Sequence, residues 1–143
     1  MKIHEIAQYL FQIGTIPFIA LGLLHTLYSL ADVIKPRKLT PRNDQVRQMM
    51  TETGMKITNR TTLWLAWLGF NISHGIGVLF FGLIFLLIAL YDFKLIQSIK
   101  FLIPLAILMS ASYFVLAIRF WFYIPAIGTG IGLICFTLSY LML

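Results

Sequence analysis

The sequence predicts an all-α, polytopic membrane protein: four transmembrane helices in an antiparallel bundle, with a short amphipathic helix in the first loop. Three observations predict it. Of the 143 residues, 59% are hydrophobic and 11% are charged, against roughly 25% charged in an average soluble chain. Four apolar runs each reach the roughly 20 residues that a spanning helix needs. Most of the basic residues fall in the connection between the first two runs. A barrel would show period-two alternation, which these uniform runs lack, and lipid admits only helices and closed barrels. A single four-helix transmembrane domain, residues 1–143, accounts for the chain.

The first helix is expected from Leu10 to Ile34. It reads as uncleaved, because Glu5 interrupts a basic start at Lys2 and "SLADVIKP" is a poor cleavage site. The connection 35–61 follows, with Lys35, Arg37, Lys38, Arg42, Arg47, Lys56 and Arg60. Inside it, Thr40-Pro41 reads as a helix cap and first position. Asp44 would sit in the first turn, and Gly54 would end the helix. Val46, Met49 and Met50 would give it an apolar edge on the inner leaflet, with Arg42 and Arg47 towards anionic headgroups.

The second helix is expected from Thr62 to Tyr91, long enough to tilt. The third, Ile99 to Ile118, ends at Arg119 in "AIRFWFYIP". There an arginine would snorkel within an aromatic belt, or turn inward to an acid or an anionic headgroup. The fourth runs from Phe122 to Leu143 and contains Gly128 and Gly132 as a GxxxG pair. Gly69, Gly75, Gly77 and Gly82 line the second helix, so close helix approach is expected at both.

Basic residues set the orientation. Seven in the loop 35–61 plus Arg119 make eight on one side, against Lys2, Lys94 and Lys100 on the other. The positive-inside rule places the loop in the cytoplasm and both termini outside. The net charge of +6 therefore points to a membrane surface and not to nucleic acid. Cys135 stands alone in an apolar run, which excludes an intrachain disulfide and reads as small buried packing. No P-loop, HExxH, GxSxG or nucleotide fingerprint occurs.

The polar residues of the spans carry the chemistry. Arg60, Trp64, Trp67, Asn71 and His74 step by 4, 3, 4 and 3, which is one helix face. Phe18, Leu21, His25, Tyr28 and Asp32 make a matching stripe on the first helix. His25 lies nine residues from Ile34 and Asn71 nine from Thr62, each roughly 13 Å from its helix end at 1.5 Å per residue. His25, Asn71 and His74 therefore share one level. Tyr28 is expected near Trp67, and Asp32 near Arg60 or Arg119. Hydrogen bonds between membrane helices average only about 0.6 kcal/mol, and intramembrane ionisable groups mark functional sites by default.

Three segments, "PRNDQV", "NRTTLWLAWLGFNISHGIG" and "AIRFWFYIP", resemble an uncharacterised family of small four-helix bacterial integral membrane proteins. The family's pattern is a His in the first helix, a Pro-Arg-acid loop, a TTxWxAWxGFNxSHxxG segment and an Arg-aromatic turn before the last helix. Leu65 replaces the family's usual arginine and Asn43 its usual aspartate, so no charge at either enters the reading. The resemblance implies the four-helix architecture in a bacterial cytoplasmic membrane, without a reaction.

The leading functional reading is a site between helices one and two for a lipid-like or quinone-like small molecule, with catalysis left open. His25, His74 and Asn71 are the catalytic candidates: a histidine to move a proton, the asparagine to fix a polar group. Trp64, Trp67, Tyr28, Asp32, Arg60 and Arg119 are the ligand-binding candidates. One alternative is a b-type haem with His25 and His74 as axial ligands. Another is a non-catalytic small subunit of a larger membrane complex or homo-oligomer. A protein-held metal ion is not expected, because Asp32 falls about two turns from His25.

Overall fold

A computed structural model describes residues 3–143; Lys2 lies outside them. The chain is 81% helical. In order, the elements are α1 (Ile3–Ile34), α2 (Asp44–Glu52), β1 (Gly54–Met55), β2 (Thr58–Thr62), α3 (Leu63–Tyr91), α4 (Phe93–Ser98), α5 (Leu102–Phe120) and α6 (Tyr123–Leu141). Four helices, α1, α3, α5 and α6, are long and apolar enough to cross a membrane. The protein is thus an all-α, multi-pass membrane protein.

By compactness the chain divides into two units, Met1–Leu21 with Val78–Leu143, and Gly22–Gly77. Helices α1 and α3 contribute to both. The first unit is built on an aromatic core. Phe11 meets Phe136 at 4.9 Å, Phe85 at 5.7 Å and Phe93 at 5.8 Å between ring centroids. Phe18 meets Phe81 edge-on at 4.9 Å and Phe136 at 6.2 Å. In hydrocarbon such packing holds helices together, because burial from water no longer does.

The expected start of α1 at Leu10 is seven residues late. Polar residues ahead of it have partners that let the helix extend. Gln8 and Gln12 both donate side-chain N–H groups to the Ala89 carbonyl, at 2.9 and 3.2 Å. That carbonyl lies near the end of α3, where helical N–H donors run out. The start of α5 moves the other way, to Leu102, because residues 93–98 form α4. Asp92 caps it by accepting from the Lys94 amide at 3.0 Å.

Glycines bring α1 and α6 together. A Cβ on Gly14 would stand 3.0 Å from Cys135 Cβ, and one on Gly132 would collide with the Phe18 ring. One on Gly128 would stand 2.7 Å from Leu21 Cδ1. The GxxxG pair is therefore used inside the chain. Of the α3 glycines, Gly75 and Gly82 pack against α1, whereas a Cβ on Gly69 or Gly77 would meet open space.

The second unit holds the lower part of α1, α2, the β1–β2 hairpin and the start of α3. The amphipathic helix α2 forms, but its cap is Asn43 and not Thr40. The Asn43 side chain accepts from the Gln45 amide at 2.9 Å, an acceptor reach that a threonine before proline does not offer here. Gly54 does not simply end the helix. It opens an antiparallel pair in which Gly54 faces Thr62 and Met55 faces Thr58. The hairpin hides from a sequence reading because its Lys56-Ile57 turn carries no glycine or asparagine.

Candidate intramembrane site

On α3 the buried positions of the second unit are Trp64, Leu68, Asn71 and Gly75; on α1 they are Gly22, Thr26, Ser29 and Asp32. A Cβ on Gly75 would stand 2.6 Å from Thr26 Oγ1 and 2.9 Å from the Thr26 backbone nitrogen. Small residues therefore set the spacing of the two helices. The Thr26 and Ser29 hydroxyls bond back to the Gly22 and His25 carbonyls, at 2.7 Å each. These groups are satisfied within α1.

His25, Asn71 and His74 come together beside this seam, as their common level requires. The imidazoles of His25 and His74 stand 5.3 Å apart between centroids at an interplanar angle of 82°. His25 also interacts with the side chain and backbone of Asn71, and its Nε2 is shut off from solvent. Asn71 is buried, and its side-chain N–H donates to the Trp67 carbonyl at 2.8 Å. That bond holds the amide in place beside His25. The Phe70 ring stacks on His74 at 5.9 Å and 11°. Phe70 is 64% exposed, and Gly77 one turn on offers no side chain. His74 is thus half-buried and in contact both with His25 and with an exposed aromatic ring.

Below this level the stripe has a different occupation. Asp32 is buried, and its carboxylate accepts three backbone amides of the loop that follows α1. These are Arg37 at 2.8 Å, Lys38 at 2.9 Å and Leu39 at 2.6 Å. The expected partners Arg60 and Arg119 are not needed, and both are exposed. Trp67 donates its indole N–H to the Leu39 carbonyl at 2.7 Å. Tyr28 lies under the Lys38 ammonium, 5.4 Å from ring centroid to Nζ. Trp64 is buried at 7% exposure as packing. Arg119 ends α5, is exposed, and is followed by the exposed aromatics Phe120, Trp121, Phe122 and Tyr123.

Elsewhere, Ser110 and Ser112 bond to the Ala106 and Leu108 carbonyls of their own helix, both at 2.8 Å. Among the described residues no group of three His, Cys, Asp or Glu side chains could hold a metal ion. The pair of histidines also fails a test for haem. An iron between two imidazoles, with bonds of about 2.0–2.1 Å, would hold the ring centroids about 6 Å apart in one line. At 5.3 Å, and with the His25 Nε2 enclosed, the pair as arranged does not fit a b-type haem.

Two contributors escape a sequence reading. Phe70 lies four residues before His74, the spacing at which helix side chains meet, so its stacking was open to inference. Leu39 was not, since it acts through its backbone amide and carbonyl. Comparison with family models, curated proteins and solved structures found no match.

Proposed function

We propose that this protein binds a lipid-like or quinone-like small molecule that reaches His74 sideways from the bilayer. The observation that carries the reading is the stacking of Phe70, 64% exposed, on the His74 ring at 5.9 Å. A histidine backed by an asparagine–histidine pair on one side and an aromatic wall on the other suits a flat, polar-tipped ligand. The ring of such a ligand would lie on Phe70. Its carbonyl or hydroxyl would meet the imidazole of His74, which can donate or accept a proton. His25 and Asn71 would hold His74 in position.

Magnitudes support a ligand over polar glue. An imidazole pair is worth about 0.5–1.5 kcal/mol as an aromatic contact, a modest return for two histidines and an asparagine in hydrocarbon. The residues that do hold the loop, Asp32, Trp67 and Tyr28, leave the ligand set smaller than the full stripe: His25, Asn71, His74 and Phe70.

The same reading puts the chain in a bacterial cytoplasmic membrane with the basic loop inside. It also lays α2 on the inner leaflet, its exposed Val46 and Met49 among acyl chains and its arginines at headgroups. The resemblance of the segment 59–77 to small bacterial four-helix proteins supports this setting.

The test is direct. Purified protein is extracted with organic solvent, and the co-purified lipids and quinones are compared by mass spectrometry with those of His74→Ala and Phe70→Leu. One species enriched in the native protein and depleted in both variants is expected. No enrichment over the membrane average would overturn the reading.

A further inference from the structure

The first unit contains a cleft of about 360 Å³ that the intramembrane site does not use. It lies where α1 and α5 begin and α6 ends. Its polar wall comes from His4 of α1, Gln97 of α4, Lys100 of the turn before α5 and Tyr140 of α6. Its floor includes Ile96 and Ile103, 1% and 4% exposed. The volume is that of a small-molecule site, roughly 300–1,000 Å³. The position, at the ends of membrane-spanning helices, is the depth at which headgroups sit.

Charge in the neighbourhood is divided. A wider cleft adjoins the first, shares His4 and Gln97, and adds Glu5, Asp92 and Lys94. The Asp92 carboxylate accepts the Lys94 amide at the cap of α4. An anion is therefore disfavoured on the side of the two acids and favoured on the side of Lys100. We propose that the cleft binds the phosphate group of an anionic amphiphile. Lys100 supplies the charge. His4, Gln97 and Tyr140 supply N–H and O–H donors, and Ile96 and Ile103 receive the first carbons of the tail. The recognised chemistry is a phosphate ester, carried by a lipid headgroup or free in solution. The apolar floor favours the lipid.

The full-length protein in detergent is offered phosphatidylglycerol or phosphatidylcholine at equal concentration, and retained lipid is counted by native mass spectrometry. Phosphatidylglycerol is expected to be retained in preference. Lys100→Gln lowers its retention by at least about tenfold, the scale of one charge-assisted hydrogen bond. Lys100→Arg keeps it, and Lys56→Gln in the basic loop leaves it unchanged. Glycerol 1-phosphate separates the two sources. Displacement of the lipid at equal concentration assigns the site to the phosphate alone, and lack of displacement assigns it to the lipid. Because Lys100 is exposed, loss of folding does not confound the variant, and an unchanged helical circular dichroism spectrum checks this. Equal retention by the native protein and Lys100→Gln overturns the proposal, as does an equal loss in Lys56→Gln.

Discussion

The indole N–H of Trp67 donates to the Leu39 carbonyl at 2.7 Å, across 28 residues of chain. The Leu39 amide in turn donates to Asp32 at 2.6 Å. Leu39 is thus held through its amide by α1 and through its carbonyl by α3. A buried carboxylate that accepts several amides is a strong local anchor, because charge-assisted bonds are about twice as strong as neutral ones.

Asp32→Ala strands the Arg37, Lys38 and Leu39 amides, and a cost of about 2–4 kcal/mol is expected. Asp32→Asn, which keeps one acceptor oxygen, loses about half of that. Thermal unfolding in detergent measures both. An unchanged midpoint in Asp32→Ala would remove the anchor role and return the residue to the ligand set.

Trp67→Phe keeps the ring and deletes the donor. The expected loss is about 1 kcal/mol, together with faster proteolysis at Arg37 and Lys38. If the Asp32 and Trp67 variants weaken the same element, their double mutant falls short of the sum. Full additivity in a double-mutant cycle would mean that the two bonds act separately.

The glycines of α3 separate cleanly. Gly75→Ala brings a methyl to 2.6 Å from Thr26 Oγ1 and 2.9 Å from the Thr26 backbone, and overpacking of this kind costs about 1–3 kcal/mol. Gly77→Ala meets nothing within 4 Å and gains about 0.5–1 kcal/mol in helix propensity. Denaturant titration of the two variants in one detergent decides the point, and equal stabilities would contradict the seam.

Phe70→Leu removes the aromatic wall of His74 from an exposed position. Unfolding is expected to be unaffected, while ligand retention falls about tenfold, the scale of an aromatic stacking contact of about 1.4 kcal/mol. Quantitative mass spectrometry of co-purified lipid reads it. Retention equal to that of the native protein would leave Phe70 as a lipid-facing residue without a role.

Orientation has its own readout. An alkaline phosphatase fused after Gly54 is expected to be inactive and a fluorescent protein there to be bright, since the proposed orientation, read from the positive-inside rule, puts the loop in the cytoplasm. An active phosphatase would invert the assignment.

Much of the architecture was legible because hydrocarbon imposes it. Four apolar runs can only be spans; 3–4 spacing gives the two polar faces, and the rise per residue puts His25, Asn71 and His74 at one level. What stayed hidden involved the backbone. Asp32 looked like half of an ion pair because only side chains appear in a sequence, yet its partners are three amides. The early start of α1 was obscured by Gln8 and Gln12, whose polarity suggests water until the Ala89 carbonyl is in view. Thr40 drew the capping role away from Asn43 because Pro41 after it fits the first position of a helix, although asparagine is the better cap by propensity. The small hairpin lacked turn residues altogether.

The clamp on Leu39 has an engineering consequence. Beyond Leu39, the chain that joins α1 to α3 is not what registers their ends, because the backbone amide and carbonyl of Leu39 already do so. Residues 40–61 then behave as an insertable cassette. A folded tag spliced at the Lys56-Ile57 turn, or two fragments co-expressed as 1–56 and 57–143, should still bring His25 and His74 into contact.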